Sequence, residues 1–407
     1  MAIEKINISL DFGTSKQELG TLVAKNQRIY FRYAPSFLDS PLEISPFKLK
    51  KTSEIITCPL EPFDGLPGVF SDSIPDGWGR LLLDRKLINQ GINPREIGVL
   101  DRLSLVGQQG MGALVYEPIS EADHPMDHTI NLDDLSRESH ELLNNRDASF
   151  LDDLYHLGGN SVGARPKIVV HYNEEDQSFP KDQDEKSSQW IIKFSALHDF
   201  LDMSKIEFSY FQMALDCGIP MSESKLFTSE KGRTFFGSKR FDRIDNKRLH
   251  LHSACGLLHD NFRYSTLDYG HIMDAANRLE NNVSACEKVF RIAVFNCFAL
   301  NMDDHSKNMA FLMNETGTWS VAPAYDLTFS PSPGGYHSLS VAGEYQHINS
   351  ASLLKLADYF GIKNAPNVMK EIKHVISQWT SYAAALDINK KEFKLIEKAL
   401  QKKLKEG

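Results

Sequence analysis

The chain of 407 residues is longer than one compact core usually holds, so about two or three packed domains are expected. Hydrophobic residues at 42% and charged residues at 24% exclude wholesale disorder, and a formal net charge of -9 argues against non-specific binding to the phosphates of nucleic acid. The five cysteines (Cys58, Cys217, Cys255, Cys286, Cys297) are odd in number and show no C-x-x-C spacing, which disfavours a disulfide framework or a zinc knuckle. With no signal-peptide pattern at the start and no apolar run long enough to span a bilayer, a cytoplasmic protein without membrane contact is expected.

Strand and turn signals dominate the first third. Ile6, Ile8 and Leu10 alternate with polar residues, and residues 21–23 and 29–31 follow more loosely. Turns are marked by Gly65-Leu66-Pro67-Gly68 and Pro75-Asp76-Gly77-Trp78-Gly79, and a helix is predicted over 80–89. The segment Gly107-Gln108-Gln109-Gly110-Met111-Gly112 lacks a phosphate-binding Lys and leads into a short apolar strand, 113–116, so it reads as a tight turn rather than a nucleotide loop. A polar linker (120–131) and a helix (132–144) follow. Two strands, 168–171 and 190–194, flank an acidic loop at 174–189, and a helix is predicted over 206–215. From Asp242 the chain reads mostly helical. It includes a buried helix at 286–300 and a docked surface helix at 390–406, with Phe393, Ile396, Leu400 and Leu404 at helical spacing.

Chemistry concentrates in Asn301-Met302-Asp303-Asp304-His305-Ser306-Lys307-Asn308, between the buried helix and a predicted hairpin (309–313, a turn at 314–317, then 319–322). Pro323-Ala324-Tyr325-Asp326-Leu327 comes directly after. An Asp, an Asn five residues later and a second Asp beyond a hairpin form the layout of a protein-kinase catalytic loop and its metal site. The first Asp accepts a proton from the attacking hydroxyl; the Asn and the second Asp face the Mg²⁺ ions that bridge the phosphates of ATP. Asp303 lies at the kinase interval from Asn308 and Asp304 is one residue short, so Asp303 is the expected base and Asp304 a loop-supporting or substrate-facing residue. His305 has no second His or Cys at ligand spacing, which favours a hydrogen-bonded structural role over metal binding. Gly158 to Lys167 (GGNSVGARPK) precedes a strand, and its small residues allow backbone N–H groups to approach phosphate oxygens. Lys193, set among Trp190, Ile191, Ile192 and Phe194, is the candidate to hold the phosphates and pair with a helix Glu, for which Glu207 is placed.

Together these segments resemble the HipA family of toxin–antitoxin serine/threonine kinases over nearly the whole chain. The resemblance is carried by Gly65-Leu66-Pro67-Gly68-Val69-Phe70, Asp76-Gly77-Trp78-Gly79-Arg80, the glycines of 107–112, Gly163-Ala164-Arg165-Pro166-Lys167, Arg240-Phe241-Asp242-Arg243, Asp303 to Asn308, and Tyr325-Asp326. It implies an α+β, bilobal protein-kinase-like fold. A β-rich N-terminal domain would span 1–120, a kinase N-lobe-like region with the phosphate loop 121–241, and a mostly helical C-terminal lobe with the catalytic loop 242–407. It also implies that Asp303 is the base and that Asn308 and Asp326 hold Mg²⁺. Lys193, backed by Glu207, and the backbone of Ser161, Val162, Gly163, Ala164, Arg165, Pro166 and Lys167 would hold the ATP phosphates. Lys239, Arg240 and Phe241 would line the adenine side, and His305, Lys307 and Tyr325 would complete the cofactor site.

The implied substrate is a protein serine, in the best-known cases on an aminoacyl-tRNA synthetase (glutamyl-tRNA synthetase foremost), with growth arrest or persistence as the outcome. The implied partner is a HipB-like helix-turn-helix antitoxin, which brings the toxin to operator DNA. One position departs from the family. The autophosphorylated Ser often lies three residues before the loop glycine, where this chain has Asn160, and Ser161 is the nearest candidate. Two other functions compete: a small-molecule phosphotransferase of the same fold, and a non-catalytic corepressor. Against the second stands the complete set of Lys193, Asp303, Asn308 and Asp326.

Overall fold

The alternation of Ile6, Ile8 and Leu10 becomes the strand Lys5–Asp11, with those three side chains fully buried. It belongs to a five-stranded antiparallel sheet in the order Ile56–Thr57, Arg28–Tyr33, Lys16–Lys25, Lys5–Asp11, Leu114–Glu117. The computed structural model describes residues 3–119, 130–180 and 186–406. Most of the predicted linker at 120–131 and the centre of the acidic loop at 174–189 therefore lie outside the described residues.

A second antiparallel sheet has four strands in the order Lys167–Asn173, Ser187–Lys193, Thr234–Lys239, Ser224–Thr228. One face buries Ile168, Val170, Trp190 and Ile192 against Leu154 and Tyr155 of the helix Leu151–Gly158. Trp78, Leu82, Leu83 and Leu87 of the helix Gly77–Asn89 enter that same core, so an element preceding residue 107 packs with the second sheet and not with the first. A larger apolar core runs from the first sheet into the C-terminal helices, among them Val283–Phe298, Ala365–Ser377 and Lys390–Glu406.

Beyond Asp242 the chain carries more strand than its sequence suggests. His250–Ser253 pairs with Ala310–Met313, the first arm of the predicted hairpin, which pairs in turn with Trp319–Val321. Tyr336–Val341 and Glu344–Gln346 form a further hairpin. Strands this short, rich in His and Ser, show too few alternations for periodicity to reveal them.

The glycine segment 107–112 is a turn, as predicted, and it is also the seat of the first domain on the rest of the molecule. Its Gly112 N–H donates to Asp242 (2.7 Å), while the carbonyl of Gly110 accepts from Arg240 and Arg243 and that of Gly112 from Arg243 and Arg248. Asp242 is fully buried, and Arg240 grips it through Nε (2.9 Å) and Nη2 (2.7 Å), with Arg243 Nη1 at 2.6 Å. Burial opposes the charge on Asp242, but Arg240 and Arg243 outweigh it and hold the carboxyl well below the usual range. A second contact between the domains is a buried chain from Ser45 through His252 to Asp72 (2.9 and 2.6 Å). Ser45 is 2% exposed and His252 0%, so this chain joins domains and offers no substrate access.

The helix Met203–Asp216 follows the Lys193 strand. At its start Glu392, from the last helix, accepts the N–H groups of Leu201 (2.7 Å) and Asp202 (3.2 Å), and the Asp202 carboxylate accepts from Asn389 N–H (2.7 Å). Midway, Tyr210 donates its hydroxyl to the carbonyl of Ala299 (2.7 Å). No helix among the described residues is long and apolar enough to cross a membrane.

Candidate active site

The two adjacent acids of the catalytic-loop segment have opposite fates. Asp304 is 2% exposed and receives Tyr269 Oη (2.9 Å), Ser338 N–H (2.8 Å) and His337 Nδ1 (2.9 Å), which makes it the support of the loop. The Asp303 carboxylate is open to the cleft, 64% exposed, with His305 Nε2 at 3.8 Å. Partial desolvation at the cleft wall raises the Asp303 pKa above the usual carboxylate range; His305 pulls it down and Asp326 pushes it up.

Asn308 donates Nδ2 to the carbonyl of Asp303 (2.8 Å), which leaves its amide oxygen as the free end. The hairpin returns the chain to Asp326, a non-glycine residue at φ +55°, and Lys193 bridges the carboxylates of Asp326 and Glu207. Burial opposes the charges here, yet mutual attraction prevails: Lys193 is held above its ordinary range and Asp326 well below its own. Glu207 lies inside Met203–Asp216, one turn beyond its start, and is buried as a pairing role requires.

The predicted phosphate loop lies on the same side. Lys167 stands directly across the ladder from Lys193. Two cations in that relation repel unless anions surround them. Asp326 and Glu207 do so here, and Lys167 also donates to the carbonyl of Val162 (2.6 Å). Arg165 pairs with Asp199 (3.3 Å), and Lys307 pairs with Asp76 (2.5 Å). Cations from the loop, the strand and the catalytic loop thus converge beside Asp303, Asn308 and Asp326, a donor set suited to a polyphosphate and a hard divalent cation.

The ammonium of Lys239 pairs with Glu223 (3.4 Å) and Glu174 (3.9 Å). Arg240 is buried, with its guanidinium committed to Asp242, Gln189 and the Gly110 carbonyl, whereas Lys239 is partly exposed. Phe241 packs its ring on Tyr325 (5.6 Å between centroids), and Tyr325 donates its hydroxyl to the Lys307 carbonyl (2.6 Å). The buried Nδ1 of His305 has no hydrogen-bond partner among the described residues, and the ring is held edge-on by Phe262 at 5.3 Å. Ser161 is 6% exposed and donates its hydroxyl to the Gly158 carbonyl (2.6 Å), turned inward in this conformation.

Sequence reasoning missed Asp76. It lies in a segment whose Pro and Gly mark a turn, and its partners are the Gly163 N–H (2.6 Å) and Lys307, which nothing local announces. Burial opposes its charge, but Lys307 and then the Gly163 N–H hold the carboxyl below the usual range.

Residues 160–381 match the HipA-like C-terminal domain, and residues 10–117 match the HipA N-terminal domain. No curated protein matches the chain in sequence. Among solved structures, the chain is similar to the HipA toxin of Shewanella oneidensis MR-1, determined in complex with HipB and operator DNA. The TM-score is 0.67 at 16% identity, over 98% of this chain and 95% of that one, which shows a shared fold throughout. The Helicobacter pylori proinflammatory kinase CtkA aligns with 58% of this chain and 94% of its own at a TM-score of 0.35 and 14% identity, too slight a likeness to build on.

Proposed function

This chain belongs to the HipA family, and on that footing we propose that it is the toxin of a toxin–antitoxin pair, a serine/threonine protein kinase that uses ATP and Mg²⁺. The observation that carries this reading is the meeting, in one cleft, of Asp303, Asn308 and Asp326 with the Lys193–Glu207 pair and the 160–167 loop. Asp303, open to the cleft, takes the proton of the attacking hydroxyl. The Asn308 amide oxygen and the Asp326 carboxylate are the hard oxygen donors for Mg²⁺, which neutralises phosphate charge when bound. Lys193, Lys167, Arg165 and the loop N–H groups orient the phosphates, and Glu207 keeps Lys193 in place.

The acceptor in this proposal is a protein serine or threonine, with an aminoacyl-tRNA synthetase such as glutamyl-tRNA synthetase as the first candidate and growth arrest as the outcome. The partner is a HipB-like helix-turn-helix antitoxin in the cytoplasm. The Shewanella relative was solved with HipB and operator DNA. A net charge of -9 suits a chain that meets DNA mainly through such a partner. Autophosphorylation at Ser161 requires its hydroxyl first to leave the Gly158 carbonyl.

The test is transfer from γ-labelled ATP to proteins of a cell extract, with Mg²⁺ and again with a chelator. A discrete, chelator-sensitive labelled protein is the expected result. ATP consumption without labelled protein would shift the acceptor to a small molecule, and no consumption would leave a non-catalytic corepressor. The pH profile gives a second check. Only the unprotonated Asp303 serves as base and its pKa is raised, so the acid limb of kcat/KM should lie above the ordinary Asp value of about 3.9. His305 lowers that pKa, so a His305→Ala variant should move the limb to higher pH. A limb that stays put, or moves down, would remove Asp303 as the titrating base.

A further inference from the structure

The N-terminal domain does more than sit beside the cleft. Its residues 76–79 lie against the phosphate loop, and the contacts are backbone-deep. Asp76 Oδ1 accepts the Gly163 N–H (2.6 Å), and the Gly163 carbonyl accepts the Trp78 N–H (2.9 Å), so both polar groups of that loop residue are held from outside the loop. Trp78 Nε1 donates to the Lys167 carbonyl (3.0 Å), which ties down the loop's far end. Gly77 has φ +46° and a Cβ there would stand 2.5 Å from the Gly163 oxygen; a Cβ on Gly79 would stand 2.5 Å from the Ser161 oxygen. Only glycine permits this approach. The second carboxylate oxygen of Asp76 takes the Lys307 ammonium at 2.5 Å.

We infer that Asp76 is a positioning residue for phosphoryl transfer: one carboxylate from the N-terminal domain sets both the Gly163 peptide of the phosphate loop and the Lys307 ammonium of the catalytic loop. The inference rests on the proposed kinase reading. Its physical content is that these two groups lie 144 residues apart in the chain, on different loops, and meet through one carboxylate. A shared anion orders both before ATP arrives, which lowers the entropic cost of binding. The rival role for the same contacts is a plug, a carboxylate on phosphate donors that ATP must displace. The two roles predict opposite signs.

The test uses the full chain with Asp76→Ala, Asp76→Asn and Asp76→Glu. MgATP affinity is read by calorimetry, KM and kcat by labelled transfer, and amide hydrogen exchange over residues 160–167 by mass spectrometry. In Asp76→Ala the KM for ATP should rise by about tenfold or more, with a smaller change in kcat, and exchange in the loop should accelerate. Asp76→Asn keeps an acceptor for the Gly163 N–H and should fall between, and Asp76→Glu should recover part of the affinity. A KM that is unchanged or lower in both Asp76→Ala and Asp76→Asn overturns the inference, and a lower one identifies a plug. Should native protein fail to bind MgATP, the kinase reading falls by that result. The exchange comparison still decides whether Asp76 orders the loop, and equal rates in native and variant chains remove the inference.

Discussion

Replacing Asp303 by Ala is expected to slow phosphoryl transfer by about 10²- to 10⁴-fold while leaving thermal stability unchanged. The carboxylate is 64% exposed, and the His305 ring nitrogen nearest it stands 3.8 Å away, beyond hydrogen-bonding distance, so its removal breaks no close buried contact. The same substitution at Asp304 should act on a different quantity. Three donors from two separate elements, Tyr269 of one helix and the neighbouring His337 and Ser338 of one strand, converge on its buried oxygens, and truncation strands all three. Loss of a buried, hydrogen-bonded carboxylate costs about 3–5 kcal/mol, enough to unfold the loop or the lobe. Melting curves and transfer assays on the two variants separate the roles. If Asp304→Ala were fully stable but inactive, and Asp303→Ala active, the assignment of base and support would be reversed.

Asp242→Asn should likewise cost about 3–5 kcal/mol of stability, because it leaves buried guanidinium groups without their counter-charge. Arg240 and Arg243 both contact this carboxylate, and Gly112 of the first domain donates to it. The same change should therefore loosen the seat of the N-terminal domain, seen as new protease cleavage near Gly110 at denaturant concentrations where the native chain resists. The folded carboxyl titrates below its unfolded value, so its stabilising contribution is complete above about pH 4 and declines as pH falls below that. Acid unfolding of the Asp242→Asn variant should show a correspondingly smaller dependence on pH below 4. A variant as stable as native protein would mean that water or a neighbouring group replaces the carboxylate.

Much of the cleft was legible because its key residues are set by local spacing. The interval from Asp303 to Asn308, the hairpin after it and the Asp beyond are contiguous signals. Lys193 was legible because a lysine within an apolar strand needs an anion. What escaped has its cause far along the chain. Asp76 meets Gly163 and Lys307, at sequence separations of 87 and 231, and Gly112 meets Asp242 at 130. A turn-forming Asp-Gly pair looks alike whether it ends a strand or clamps a loop. The pairing of Arg240 with Asp242 was hidden for a related reason: an Arg-Phe-Asp-Arg run shows charge, and only tertiary packing shows that the charges neutralise one another. The helix Gly77–Asn89 was recognised, but the surface that buries it comes from residues 132 to 235.

Protein kinases are often switched by swinging out the helix that carries the lysine's glutamate partner. In this molecule that helix, Met203–Asp216, is fastened at its start by Glu392 and in its middle by Tyr210, both to the C-terminal lobe. It is also tied to the second sheet, where Ser204 Oγ lies 2.9 Å from Thr234 Oγ1. On the proposed kinase reading, drawing Glu207 away from Lys193 would cost these fastenings as well as the ion pair itself, which makes the loop ahead of Lys167 the cheaper place for control to act.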